Sequence, residues 1–208
     1  ESYYDIKSAI LYMQRMGYNN IILQGHSMGC TKVVYSYNEL IENCEDTILD
    51  CIKGVVLLSL VDVPELVKQI LGKDYKRVIG YLQLLRKKGK GDDLIILDKS
   101  TPPIKPNTIL NYVEDNKKID VANFGDRRTA FKQLNNIKVP LFMRWGNIKE
   151  LILQEPQEIV EILNEKIKNK SKDISYIKGA NHNYVGKEEE LGKEICDWYN
   201  REVKEKWK

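Results

Sequence analysis

Residues 20–30 read Asn20-Ile21-Ile22-Leu23-Gln24-Gly25-His26-Ser27-Met28-Gly29-Cys30. The first five form a short apolar run rather than an alternating one, the pattern of a parallel strand covered on both faces. From Met28 to about Asn43, Val33, Val34, Tyr37, Leu40 and Ile41 recur at helical spacing. A buried strand, a tight turn and a helix therefore follow one another directly, and the turn Gly25-His26-Ser27-Met28-Gly29 matches G-x-S-x-G. Such a turn holds its serine in a strained backbone conformation and lifts the hydroxyl clear of the sheet. Side chains two residues to either side would meet neighbouring backbone, the expected reason for Gly25 and Gly29. The helix starting at Met28 directs free N–H groups and its positive dipole end at Ser27, so the Met28 N–H is an expected oxyanion donor.

Outward from this turn the chain keeps alternating. Residues 5–16 place Ile6, Ile10, Met13 and Met16 near one helical face, and Gly17 supplies a stop. Residues 54–60 and 139–145 read as further buried strands, with Pro140 tolerable only at a strand start. Pro156 opens a helix bearing Ile159, Val160, Leu163 and Ile167, residues 173–177 are a fourth strand, and Leu191, Ile195, Trp198, Val203 and Trp207 stripe a terminal helix. Strands alternating with helices predict an α/β fold, a parallel sheet with helices on both faces. Residues 64–136 break the rhythm. They carry the loops Arg86-Lys87-Lys88-Gly89-Lys90-Gly91 and Thr101-Pro102-Pro103-Ile104-Lys105-Pro106, and helical stretches near 65–71, 73–88 and 107–117. The expected division is a core of residues 1–63 and 137–208 with a helical insertion, 64–136, between its second and third strands. The basic run at 86–90 reads as a solvated loop rather than an anion site.

A serine nucleophile needs a base, and the chain has only two histidines, His26 and His182. On a strained turn the His26 side chain is expected to point away from the Ser27 hydroxyl and pack beside the elbow. His182, in Lys178-Gly179-Ala180-Asn181-His182-Asn183, follows the fourth strand at the end of the sheet where catalytic groups gather, and is the expected base. The base should be oriented by a carboxylate at another strand end. Glu150, after the third strand, is the expected acid; Asp62, after the second, is the alternative, and Asp126 a distant third.

Composition narrows the field further. The 208 residues carry 33 Lys+Arg against 30 Asp+Glu, a net charge of +3, which gives no electrostatic argument for a nucleic-acid partner. No run approaches the roughly 20 apolar residues of a membrane span. The four cysteines, Cys30, Cys44, Cys51 and Cys196, form no C-x-x-C pair, and two histidines are too few to complete a Cys/His metal set, so no metal and no cofactor are expected. Free thiols point to a reducing, cytoplasmic location.

Taken together, these residues resemble the α/β-hydrolase superfamily, in the order serine, acid, histidine, over essentially the whole chain. Gly25-His26-Ser27-Met28-Gly29 resembles the nucleophile elbow, Gly179-Ala180-Asn181-His182 the histidine loop, and residues 64–136 the lid or cap. Gly146-Asn147-Ile148-Lys149-Glu150-Leu151-Ile152 more weakly resembles a branch that includes fungal siderophore esterases. In many members the acid is an aspartate three residues after the glycine that ends the third strand; here that position is Lys149, and Glu150 follows it. The resemblance implies a serine hydrolase that cleaves a small-molecule carboxylic ester through an acyl-enzyme. The insertion, with Tyr75, Tyr81, Tyr112 and Phe124, would shape its pockets. A non-catalytic binding protein and an acyltransferase are the alternatives on the same residues. Members carry several strands upstream of the elbow strand, whereas this sequence starts one helix before it, so the fold is expected to be incomplete at the N-terminal side. The elbow strand is then an open sheet edge, expected to be covered by a further N-terminal segment or by a second copy in a homo-oligomer.

Overall fold

Apolar runs and helical stripes sort into layers in the computed structural model, which describes residues 2–97, 103–114, 121–125, 130–151 and 154–204. The chain begins with helix α1 (Ser2–Arg15), strand β1 (Ile21–His26), helix α2 (Met28–Glu42), the short helix α3 (Asp46–Leu49) and strand β2 (Ile52–Leu58). Helices α4 (Val63–Leu71), α5 (Tyr75–Lys87) and α6 (Pro106–Val113) follow, then the short α7 (Lys132–Asn135). Strand β3 (Leu141–Gly146), helix α8 (Pro156–Lys166), strand β4 (Lys172–Ile177) and helix α9 (Glu188–Trp198) complete the order. The four strands form one parallel sheet in the order β1-β2-β3-β4. Among the described residues β1 pairs with β2 alone, which leaves its outer edge without a strand, as expected.

Both faces of the sheet are covered, which is why the strands are apolar at nearly every position. On one face Val55, Leu57, Leu141, Met143 and Trp145 meet Ile10 of α1, Val33, Val34 and Leu40 of α2, and Ile159 and Leu163 of α8. On the other, Val56, Leu58 and Phe142 meet Trp198 of α9 and Val203. The alternation of odd and even strand positions between these two clusters is the two-residue period of a strand. Full burial of each such large side chain contributes about 1.5–3 kcal/mol. Gly54 is required here, because a Cβ would lie 2.8 Å from the far edge of the Trp198 ring. Two sequence expectations need correcting. Met13 of α1, Met16 just past its end, and Ile41 of α2 are exposed, because the inward face of α1 is Tyr3, Ile6, Ile10 and Leu11 and that of α2 ends at Leu40.

One strand position carries a buried charge. Arg144 of β3 places its guanidinium 4.0 Å over the Phe142 ring, 2.8 Å from Asp173 of β4 and 2.5 Å from Glu194 of α9. These charge-assisted bonds offset the cost of withdrawing the guanidinium from water and tie β3, β4 and α9 together.

The chain divides into two units, and the smaller spans Val63–Asp120. Within it Pro106 starts α6 at the position where a missing N–H costs nothing. Arg86 of α5 bonds Asn107 at 2.7 Å and Glu114 at 2.5 Å, so the basic run begins inside a helix rather than in a loop. The expected end of the insertion at 136 is too late. Val121, Ala122, Phe124, Phe131 and Leu134 are buried in the main core, with Phe124 edge-on to Trp145 at 6.1 Å. Their apolar surface closes the core, so Phe124 is a core residue rather than part of the insertion. Asp126 and Trp207 lie outside the described residues.

Candidate active site

Strand register gathers four strand ends. His26 is level with Leu58, Leu58 with Arg144, and Gly146 with Ile177, so the loops that begin at Ser27, Ser59, Asn147 and Lys178 leave the sheet on one side. Ser27 sits between β1 and α2 with φ 55° and ψ −127°, in a region L-residues rarely occupy. Its main chain is held on both sides: Ser27 N–H donates to Leu58 O at 2.8 Å, and Cys30 N–H donates to Ser27 O at 3.0 Å. Gly25 has the expected role, since a Cβ there would lie 2.6–2.7 Å from Gly29 O and the Cys30 backbone. Gly29 does not: a Cβ there would meet nothing within 4 Å, so no described atom demands a glycine. Met28 is the first residue of α2, and its N–H has no main-chain acceptor among the described residues.

His182 follows β4 on a loop organised by Asn181, whose Oδ1 accepts the N–H groups of Asn183 at 3.1 Å and Val185 at 2.9 Å. The loop after β3 is joined to it: Asn147 Oδ1 accepts Gly179 N–H at 2.6 Å, and Ile148 N–H donates to Ala180 O at 2.9 Å. The close approach dictates Gly146, where a Cβ would collide with the carbonyl oxygens of Ala180 and Asn181. Burial pulls the His182 pKa below 6.5; His26 adds to that fall, and Glu150 opposes it.

Of the two carboxylates, Glu150 reaches the histidine. It accepts the His182 main-chain N–H at 2.9 Å. Lys149, where many members carry the acid, instead pairs with Glu155 at 2.9 Å. Asp62 is buried, and its Oδ2 accepts the Phe124 N–H at 3.0 Å. Among the described residues neither the Ser27 hydroxyl nor the His182 ring makes a hydrogen bond.

Sequence reading gave His26 only a packing role beside the elbow and passed over Ser59 and Tyr184, and all three lie beside this loop. His26 turns its ring toward His182, 4.9 Å between centroids, and lies with Nε2 2.9 Å from His182 O. Ser59, just past β2, has φ 50°, and its Oγ lies 2.9 Å from the same carbonyl oxygen and 3.0 Å from Tyr184 Oη. Tyr184 in turn donates to Arg144 O at 2.8 Å, and burial pushes its phenol up to about 12. The one available signal was position, since Ser59, like Ser27, directly follows a parallel strand. Among the described residues no group of three or more His, Cys, Asp or Glu side chains is placed to hold a metal, and no helix is long and apolar enough to cross a membrane.

No protein-family model matches the sequence, and no curated protein matches it. Solved structures do match. The esterase domain of a Rhodothermus marinus protein aligns with TM-score 0.55 and 13% identity over 96% of this chain and 68% of that one. A thermostable carboxyl esterase from Bacillus coagulans aligns with TM-score 0.56 and 11% identity, over 92% of this chain and 68% of that one. A monoacylglycerol lipase from Paleococcus ferrophilus aligns with TM-score 0.52 and 23% identity, over 94% and 72%. At such identities the likeness speaks for architecture, and with the parallel sheet, the strained serine turn and the histidine loop it leads to one conclusion: this chain has the α/β-hydrolase fold.

Proposed function

We propose that the chain is a serine hydrolase acting on a small-molecule carboxylic ester. The observation that carries this reading is Ser27, held at positive φ just before α2, with the His182 loop brought to its neighbour His26. In this scheme His182 takes the Ser27 proton as Oγ attacks the acyl carbon, and the Met28 N–H stabilises the oxyanion. The alcohol leaves with a proton from His182; water, deprotonated by the same ring, then releases the acid and restores Ser27. Glu150 favours the imidazolium by charge and fixes the loop through the His182 N–H. The lowered His182 pKa suits a base that must be neutral at the start of the cycle. Hydrogen bonds between such groups commonly tighten only when substrate is bound. The esterases and the lipase among its fold neighbours support the class of bond cleaved.

A fluorophosphonate probe tests the reading. The folded wild-type chain should be labelled, and Ser27→Ala and His182→Ala should lose the label. A folded wild-type chain that resists labelling and hydrolyses no p-nitrophenyl ester would favour a non-catalytic binding role for the same site.

A further inference from the structure

The main chain of His182 is gripped from both sides. Its N–H donates to Glu150, from the loop after β3, and its carbonyl oxygen has His26 Nε2 and Ser59 Oγ each at 2.9 Å, from the ends of β1 and β2. We propose that His26 and Ser59 are positioning residues that clamp the His182 carbonyl and so set where its imidazole stands relative to Ser27. This rests on the reading of His182 as the base.

The proton inventory closes. His26 Nε2–H donates to His182 O. Ser59 has one proton for two acceptors, and because Tyr184 spends its own on Arg144 O, the Tyr184 oxygen is free to accept from Ser59 whenever His26 serves the carbonyl. Ser59 also holds a conformation at φ 50° that glycine would occupy without cost, yet it carries a hydroxyl there. Its N–H donates to Arg144 O at 2.7 Å, the same oxygen that takes the Tyr184 hydroxyl. The buried Arg144 residue thus anchors, through its peptide carbonyl, both the clamp and the loop being clamped. The rings and charges facing His182 are His26 from β1 and Glu150 from the loop after β3, with Tyr184 on its own loop facing His26 at 6.3 Å.

Four variants separate positioning from folding. His26→Leu removes the donor, whereas His26→Gln returns an amide N–H near the place of Nε2. Ser59→Ala removes the hydroxyl and keeps the backbone strain; Ser59→Gly removes both. With p-nitrophenyl acetate, kcat should fall about 10–100-fold in His26→Leu with KM within about 2-fold, and His26→Gln should recover to within about 3-fold of wild type. Ser59→Gly should melt higher than Ser59→Ala while both lose about 3–10-fold in kcat, a split that a purely structural role does not give. Amide exchange across residues 179–185 should quicken about 10-fold in the His26→Leu/Ser59→Ala double variant. Wild-type exchange in that variant overturns the clamp whether or not the chain is active. Faster exchange with unchanged kcat overturns the positioning role. A wild-type chain without labelling or turnover removes the hydrolase reading and with it the link to Ser27, while the exchange result still decides whether the carbonyl is clamped.

Discussion

The Glu150 carboxylate accepts the main-chain N–H of His182 at 2.9 Å, so this acid reaches the histidine loop through its backbone. Glu150→Gln leaves an oxygen for that N–H and removes only the charge. On the proposed assignment of Glu150 as the acid, turnover should drop by about 10²–10⁴-fold with little change in melting temperature. Asp62→Asn should do the opposite, because the buried Asp62 carboxylate holds the Phe124 N–H. The amide keeps an oxygen for that N–H, but in a buried place it loses the charge-assisted bond and adds an NH2 group, so a cost of about 1–3 kcal/mol falls on stability. Steady-state kinetics beside thermal melts read both, and the reverse ranking would transfer the acid role to Asp62.

The pH profile follows from the direction of the His182 shift. Burial and then His26 lower its pKa below 6.5, so the ring stays neutral to a lower pH than an exposed histidine. The acid limb of kcat/KM should have its midpoint below 6.5, move up in His26→Gln and move down in Glu150→Gln. A group whose folded pKa is depressed binds fewer protons folded than unfolded between the two values, so stability should rise with pH across that window up to about 6.5. A wild-type midpoint above 6.5 would contradict the assignment of His182 as the titrating base.

Of the two motif glycines only Gly25 is demanded by its surroundings, and Gly146, outside the motif, is demanded as strongly. Alanine at Gly25 or Gly146 drives a Cβ into fixed backbone and should destabilise by about 1–3 kcal/mol or more. Alanine at Gly29 meets nothing and lies in the first turn of a helix, where it should be neutral or gain up to about 1 kcal/mol. Urea melts of the three variants decide. A Gly29→Ala loss equal to that of Gly25→Ala would mean that the open space beside Gly29 is filled in solution.

Thiol chemistry should separate the four cysteines, none of which is in a disulfide. Cys44 and Cys196 are exposed. Cys30 is fully buried behind the elbow, its Sγ 3.1 Å from Leu58 O, and burial pushes its thiol up to about 12. An aromatic disulfide reagent should modify Cys44 and Cys196 in the native protein and reach Cys30 only on unfolding. Rapid native modification of Cys30 would show that the elbow opens.

Legibility in the sequence tracked how local each cause is. The strand-turn-helix around Ser27 was readable because apolar period, glycine punctuation and serine chemistry all lie within a dozen residues and agree. The parallel sheet was readable because strands buried on both faces advertise themselves as continuous apolar runs, as at Val55-Val56-Leu57-Leu58. What escaped depends on contacts between distant segments. Phe124 and Phe131 look like insertion residues until the packing of Phe124 against Trp145, and of Phe131 against Phe124, is seen. His26 and Ser59 carry no periodicity, and their common acceptor, the carbonyl of His182, is a main-chain atom that no side-chain pattern can reveal. Gly146 reads as a strand end; its demand comes from the backbone of residues 180 and 181 passing over it.

The hydrogen bond between Asp62 and Phe124 joins the residue just before the smaller unit to one just after it. Departure and return points held a single bond apart mean that the main core need not span any distance to accommodate what is strung between them. The entropy of closing such an excursion changes by only about 0.6 kcal/mol for each doubling of its length. Changing the length of the segment Val63–Asp120 should therefore cost the main core little in closure entropy.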